Sequence, residues 1–564
     1  MKTVRVKRIV SLSLAVVMLF GCMSMLISCK KDKGPIIDNE TTHLVLSTQE
    51  LDGVFNPFYS SSGPDGSVVG MTQIGMLSAD KDGKVAYGEN EACVVLDYEA
   101  VTAADGSQTV YRFVLKNNLK FSNGTPLTMK DVLFNLYVYL DPAYYGSSTI
   151  YSTDIIGLLE YRTQSHNKNE QDSFNDQFNA LAADRVLRLV ECLEMVYDEN
   201  KNTSLTDAQM TEKLTAIMNE VTSMGGEMAQ LYNTVVDDYN MAKEYFLEEL
   251  QKDYRYNKGT AQDIVFTDKS GNKVTLTTDT EAFLYAEGLI KWDEDQYKFI
   301  YSLGEKSKDW TEEQAIDAIY QSYVPNKIDQ VVKYWATANE LLTYFSFLEK
   351  QKYFETLDEK IENISGIRYA NRTESVTVNG VTYDVPTLDA NGAPTTGHEV
   401  LEITINKIDP KAIWNFAFTV APMYYYSSEE EIAKFDYEKN HFGVEFGSIE
   451  FQDTVIKHPD KIGVPVGAGA YKATTRTGDS ANVTAGTFNE LNVVHFERNE
   501  HFMFPVKIKY VDYQVVSTNL MLDALYAGDV HMVEPACKQE NIDNIASRAS
   551  EGFASTSVMT NGYG

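Results

Sequence analysis

The chain is short of cysteine, of positive charge and of long apolar runs. Five cysteines occur in 564 residues. Cys22 and Cys29 sit near the start, which leaves Cys93, Cys192 and Cys537, odd in number and far apart. That spacing excludes a CxxC redox pair and a zinc knuckle. One disulfide among the three stays open; buried free thiols are the simpler expectation. Lys and Arg number 49 against 81 Asp and Glu, a formal net charge of −32. A phosphate-binding face needs clustered Lys and Arg, so nucleic acid is excluded as a partner. Beyond the N-terminal segment no apolar run is long enough to span a bilayer. Catalytic signatures are missing too: there is no GxSxG, no HExxH and no GxxxxGK followed by Ser or Thr. The eight histidines are scattered without metal-ligand spacing, and His495 and His501 read as surface or core residues. The expectation is therefore no enzyme, no metal and no cofactor.

What is present begins at the N-terminus. Lys2, Arg5, Lys7 and Arg8 precede an uncharged apolar run over 9–20, and Leu26-Ile27-Ser28-Cys29 closes the segment. This is the layout of a secretory signal ending in a lipobox. Cleavage before Cys29 would expose it for acylation, and each buried CH₂ of its chains adds about 0.8 kcal/mol to membrane binding. Residues 1–28 are expected as signal peptide, Cys29 as lipid anchor and 29–40 as a polar tether. The protein would then sit on the extracytoplasmic face of a membrane. Two alternatives remain: 9–28 retained as a spanning helix, or processing at Cys22, which the bulky Phe20 disfavours.

Along the chain, 42–115 carries strand and turn signals. Tyr111, Phe113 and Leu115 alternate with polar neighbours, a half-buried strand pattern. Thr128 and Asp131 resemble a capping box ahead of Val132, Leu133, Leu136 and Leu140 at helical spacing. From about 172 to 364 the chain turns helical and charged, with helix starts at Thr206/Gln209 and Thr311/Gln314 and an apolar stripe of Leu341, Leu342, Phe345 and Leu348. Hairpins are expected around Gly271 and around Asn379-Gly380. From 399 onward α/β character returns: Leu401, Ile403 and Ile405 alternate, 493–496 and 508–516 read as strands, 521–526 as a helix ended by Gly528, and 554–559 as a further strand. Glu429-Glu430-Glu431 reads as a helix start. The glycines at 467 and 469 read as a turn, since no Lys-Ser/Thr follows to make a phosphate cradle.

Four of these stretches share an order. Tyr111 to Lys116 with Leu119-Lys120-Phe121-Ser122-Asn123-Gly124-Thr125-Pro126, then Pro465-Val466-Gly467-Ala468-Gly469-Ala470-Tyr471, then His495-Phe496-Glu497-Arg498-Asn499, then Ala524-Leu525 with Gly528-Asp529, resemble the signature segments of the peptide/nickel-type (family 5) solute-binding proteins of ABC importers. The matched stretches cover about 40–165 and 400–564. The resemblance implies an α/β, two-lobed periplasmic-binding-protein-like fold of the peptide-binding type. Its first lobe would be 41–80 with 400–564, and its appended subdomain 81–170. A large helical insertion with small hairpins, 171–399, has no counterpart. The second lobe would be largely missing, as in the N-terminal portion of a longer protein.

The function implied is capture of oligopeptides and delivery to the permease subunits of an ABC transporter, with the membrane reached through the lipid anchor. The same fold binding oligosaccharides, or a structural or sensory lipoprotein acting through its insert, are the alternatives. Rigid aromatics with polar tips suit a cleft for either ligand. The candidate ligand residues are Asn56, Phe58 and Tyr59 in the first loop, Trp414, Tyr424 and Tyr425, and Ala468, Gly469 and Tyr471 of the glycine loop. The plainer reading of most of these is core packing.

Overall fold

The computed structural model describes residues 39–199, 205–226, 229, 232–257, 260–323 and 339–556. The lipobox with Cys22 and Cys29 and most of the tether lie outside them. The principal elements in chain order are β1 (His43–Thr48), α1 (Gly63–Thr72), β2 (Val95–Thr102), β3 (Gln108–Leu115), α2 (Met129–Leu140), α3 (Lys168–Glu199), α4 (Asp207–Ser223), α5 (Val235–Asn257), α6 (Glu312–Tyr323), α7 (Asn339–Glu355), β4 (Ile367–Tyr369), β5 (Val376–Val378), β6 (Val381–Tyr383), β7 (Val400–Asn406), β8 (Tyr471–Ala473), β9 (Val493–Arg498), β10 (Tyr510–Val515) and α8 (Met521–Ala527).

Two sheets organise the α/β body. The first has the order β1-β10-β9-β8, with β1 parallel to β10 and the other pairs antiparallel. One of its faces holds Leu44, Leu46, Phe496, Val511 and Tyr513, packed with Phe55, Val68 and Phe488. The second sheet has the order β4-β7-β3-β2 and is antiparallel throughout. The alternation in β3 and β7 buries Tyr111, Phe113, Leu401, Ile403 and Ile405 in the largest core of the chain. Strand β7, expected in the first lobe, thus belongs to the sheet of the signature segment. Its apolar residues face the core that β3 faces, and its whole length pairs with β3 from Val400↔Val114 to Asn406↔Gln108.

Helix α2 starts at the expected capping box, Thr128 N–H donating to Asp131 Oδ2 at 3.1 Å. It is buried on nearly all sides, and only Lys130 escapes full burial. A helix apolar on every face belongs at the centre of a protein. Asn135, fully buried within it, donates to Ala421 O at 2.7 Å and accepts from Ala421 N at 3.0 Å, which ties the helix to the loop ahead of Tyr424.

The helical stretch runs from α3 to α7 and carries its own core, with Leu189, Leu193, Leu214, Tyr239, Phe246, Phe283, Ile319 and Phe345 buried together. Of the apolar stripe, Phe345 is fully buried there, and Leu342 and Leu348 pack against it. Thr206 and Gln209 form a reciprocal cap, as do Thr311 and Gln314. Residues 265–275 form a hairpin, as do β5 and β6. In the latter turn Asn379 and Gly380 both take positive φ, 47° and 81°, which suits Asn-Gly. Strand β4, expected inside the insertion, pairs with β7 and so belongs to the body. Helix α8 ends on Gly528 at φ 82°. Residues 554–556 carry no regular structure, and 557–559 lie outside the described residues, so no strand is seen where 554–559 was expected. Among the described residues Cys93, Cys192 and Cys537 are free thiols; Cys93 and Cys192 are buried, whereas Cys537 is exposed. Among the described residues no helix is long and apolar enough to cross a membrane, and no group of three or more His, Cys, Asp or Glu is placed to hold a metal.

Candidate ligand-binding face

In open α/β sheets, ligands sit beyond the carboxyl ends of the parallel strands. Strand β1 leads there into the loop 49–62, and the Asp65 carboxylate at the start of α1 fixes its shape. Asp65 accepts from Asp52 N at 3.1 Å and Val54 N at 2.9 Å, and burial pushes its carboxyl up to about 6. Asn56 is fully buried and satisfied; it donates to Ile456 O at 2.7 Å and accepts from Phe58 N at 2.9 Å. Phe58 packs in the core against Phe134, Tyr139 and Tyr426.

Tyr59 is half-buried at the rim. Its hydroxyl donates to Gln452 Oε1 at 2.7 Å. Its ring lies 5.1 Å from that of Tyr145, and Lys457 Nζ stands 5.3 Å from its centroid. Lys457 also donates to the Tyr145 hydroxyl at 2.6 Å, and that hydroxyl bonds Asp453. Burial holds the Tyr59 phenol well above its ordinary value, so it stays a neutral donor. Gln452 opens a π-helical turn, Gln452–Ile456, a rare geometry that recurs at functional sites. Its Nε2 is buried with no partner. Tyr145, Gln452, Asp453 and Lys457 were missed in the sequence; the Tyr144-Tyr145-Gly146 run was the available signal, since it pairs polar-tipped aromatics with a turn residue.

The glycine loop lies elsewhere and does another job. A Cβ on Gly469 would stand 2.4 Å from the Thr72 carbonyl carbon, and one on Gly467 would stand 2.3 Å from Thr72 O. Gly469 N donates to Thr72 O at 2.8 Å, Ser122 N donates to Gly467 O at 2.9 Å, and Asn499 Nδ2 donates to Gly469 O at 2.8 Å. The signature segment, the glycine loop and the Arg498-Asn499 strand end therefore meet at one junction between the two sheets. Ala468 is buried there, and Tyr471 is buried with its hydroxyl donating to Ile508 O at 3.2 Å. Asn56, Phe58, Ala468, Gly469 and Tyr471 are thus packing and pinning residues, enclosed with no face left for a ligand.

Tyr425 is half-buried, its hydroxyl shared between Asp460 O at 3.1 Å and Val464 O at 3.0 Å. Tyr424 is 37% exposed with its ring against Phe121, and Trp414 is 44% exposed and makes no ring contact with the other candidates. The structure therefore splits the candidates into the rim at Tyr59, the pair at Tyr424 and Tyr425, and Trp414 apart.

Residues 100–208 match the model of the bacterial extracellular solute-binding proteins, family 5 Middle. A search of curated proteins finds no match. Among solved structures, the complex of Haemophilus influenzae OppA with RPPGFSPFR aligns at 11% identity and TM-score 0.31, covering 90% of this chain and 48% of that one. Lactococcal OppA complexed with an endogenous peptide aligns at 12% and 0.34, covering 89% and 47%. A periplasmic oligopeptide-binding protein from Borrelia burgdorferi aligns at 10% and 0.34, covering 90% and 49%. The chain spans about half the length of these structures. At these scores the likeness carries no ligand to this chain.

Proposed function

We propose that the protein captures oligopeptides outside the cytoplasm, held to a membrane through Cys29, and passes them to the permease of an ABC importer. The observation that carries this reading is the family 5 match over 100–208. Its support is geometric: the matched segment is locked through the glycine loop to α1 and the first sheet, so the rim at Tyr59 is held rigidly. An extended peptide meets the half-buried rim, where the Tyr59 and Tyr145 rings supply large apolar area at low ordering cost. Affinity for a closed form then sets how far ligand shifts the open-closed balance.

Titration calorimetry with peptides of about three to nine residues tests the reading. Micromolar binding is expected, weakened at least tenfold by Tyr59→Ala at an unchanged melting midpoint. Absence of binding by every peptide sinks it. For the anchor, Cys29→Ala is expected to move the protein from the membrane fraction to the soluble one; unchanged partitioning overturns that part alone.

A further inference from the structure

A cleft of about 380 Å³ opens in the body between β4 and the loop carrying Tyr437, away from the Tyr59 rim. Its volume falls within the lower range of small-ligand pockets. The walls are held in place before any ligand arrives. On one side Arg368 donates through Nε to Glu402 at 2.6 Å, and Glu402 is itself buried and shared with Arg112 at 2.7 Å. On the other, Arg372 lies 4.8 Å over the Tyr437 ring and donates to Glu438 at 2.7 Å. The Tyr437 loop is closed by reciprocal backbone hydrogen bonds between Asp436 and His441, 2.9 and 3.1 Å. Tyr369 backs Tyr437 edge-on at 5.6 Å, and its hydroxyl is fixed on Glu399 at 2.9 Å.

Within this frame many hydrogen-bonding groups remain unused. Among the described residues, both terminal nitrogens of Arg368, and Nε and Nη1 of Arg372, have no hydrogen-bond partner. The side chains of Asn363 and Asn440, which also line the cleft, make no hydrogen bond to the described residues either. The site therefore offers donors beside acceptors. Its charges already cancel: Arg372 is matched by Glu438, and Arg368 with Arg112 by Glu402 and Glu99. The one remaining charge on the wall is the carboxylate of Glu374. A free anion would meet that surplus negative charge, and a cation would face two guanidiniums. A neutral ligand with closely spaced hydroxyls satisfies the unused groups without adding charge, since each hydroxyl both donates and accepts.

We propose that this cleft is a second, separate binding site, for a neutral saccharide of one or two rings. The fork of Arg372 and the amide of Asn440 grip adjacent hydroxyls, and Arg368 reaches the far end of the ring.

The test is titration calorimetry of the full chain with glucose, N-acetylglucosamine, maltose and cellobiose to about 10 mM, with inorganic phosphate and acetate as charged controls. At least one sugar is expected to bind saturably at one site. Arg372→Ala and, separately, Asn440→Ala should each weaken it at least tenfold, and Tyr59→Ala should leave it unchanged. Arg372→Lys should fail to rescue, because a point charge lacks the planar fork. Asn440 lies on the rim, so its variant keeps the test decisive if Arg372→Ala lowers the melting midpoint. The proposal falls if no sugar saturates, if phosphate or acetate binds in preference, or if sugar affinity survives both variants. Competition between sugar and peptide would also overturn it, by placing the sugar at the Tyr59 rim.

Discussion

The body and the helical insertion are built by different rules. In the body, partners lie hundreds of residues apart: β1 pairs with β10, β3 with β7, and Ser122 with Gly467. The insertion is assembled from neighbours, α3 to α7 packing around a core that, among the described residues, is drawn from 182–348. Its central polar feature is local as well: Arg185, buried beside Phe345, bonds Asp238 and, at 2.8 Å, Glu349. A few aromatics join the two regions. Phe354 of α7 stacks with Phe174 of α3 and meets Phe446 of the body at 5.0 Å, where Gly447 at φ 66° leaves room for its ring. The insertion can therefore be read as a domain set into a loop of the body, with the first and last turns of α3 and α7 as its base.

The sharpest way to break this contrast is Gly469→Val. Its branched side chain has to enter backbone at 2.4 Å, so a loss of at least about 4 kcal/mol is expected, in the range of exceptional single-site effects. Calorimetric scanning should show the body transition gone or strongly lowered, with the helical signal of the insertion retained in circular dichroism. A single shared collapse would mean that the two regions are one cooperative unit. Arg185→Ala is the mirror experiment. It leaves Asp238 and Glu349 without their buried partner, at a cost of about 3–5 kcal/mol, and only the insertion transition should move.

Acidity sharpens the comparison further. Burial pushes Glu399 and Asp141 up to about 7 and Asp131 up to about 6, all in the body. Below the ordinary carboxylate range these groups are protonated folded and unfolded alike. As pH rises toward 7 the unfolded chain ionises while the folded one holds its protons, so the body loses stability over that window. In the insertion, Asp207 and Glu281 are held low; both are desolvated, but Lys243 with two tyrosines and the Thr277 and Tyr301 hydroxyls outweigh burial. Their contribution is present at neutral pH and lost as pH falls, partly opposed by Glu287, which burial raises to about 7. Glu399→Gln keeps an acceptor for Met129 N and a donor toward the Tyr369 hydroxyl. It should raise the body midpoint at pH 7, by about 2–3 kcal/mol in stability, and flatten its decline; a profile as steep as the parent's refutes the assignment. The smallest effect is Thr206→Ala, which removes the cap of α4 and should cost the insertion about 1 kcal/mol, read by denaturant titration.

Local features were legible in the sequence and distant ones were not. The caps at Thr128, Thr206 and Thr311, the Asn379-Gly380 turn and the Gly528 stop follow from side-chain chemistry within a few residues. Which sheet β7 joins does not, because its alternation would suit either core; only its pairing with β3 decides. The candidate site shows the same division. Tyr59 could be picked from its loop, but Lys457 and Gln452 reach it from some 393 residues away in sequence, and nothing local marks them. The glycine loop misled for a physical reason. Gly467 and Gly469 are small because backbone passes against them, and close approach to α1 looks the same in sequence as close approach to a ligand.

The pairing of β1 with β10 has a consequence in time. His43 meets Asp512 across 469 positions of chain, so β1 has no strand partner when it is first made. A ribosome adding about 5–20 residues per second needs some tens of seconds to reach β10. The insertion, lying wholly between them, is complete well before that and can fold around local contacts while β1 waits. During this interval the bare strand edge is the segment most in need of a holding chaperone, and the interval ends only when β10 is added.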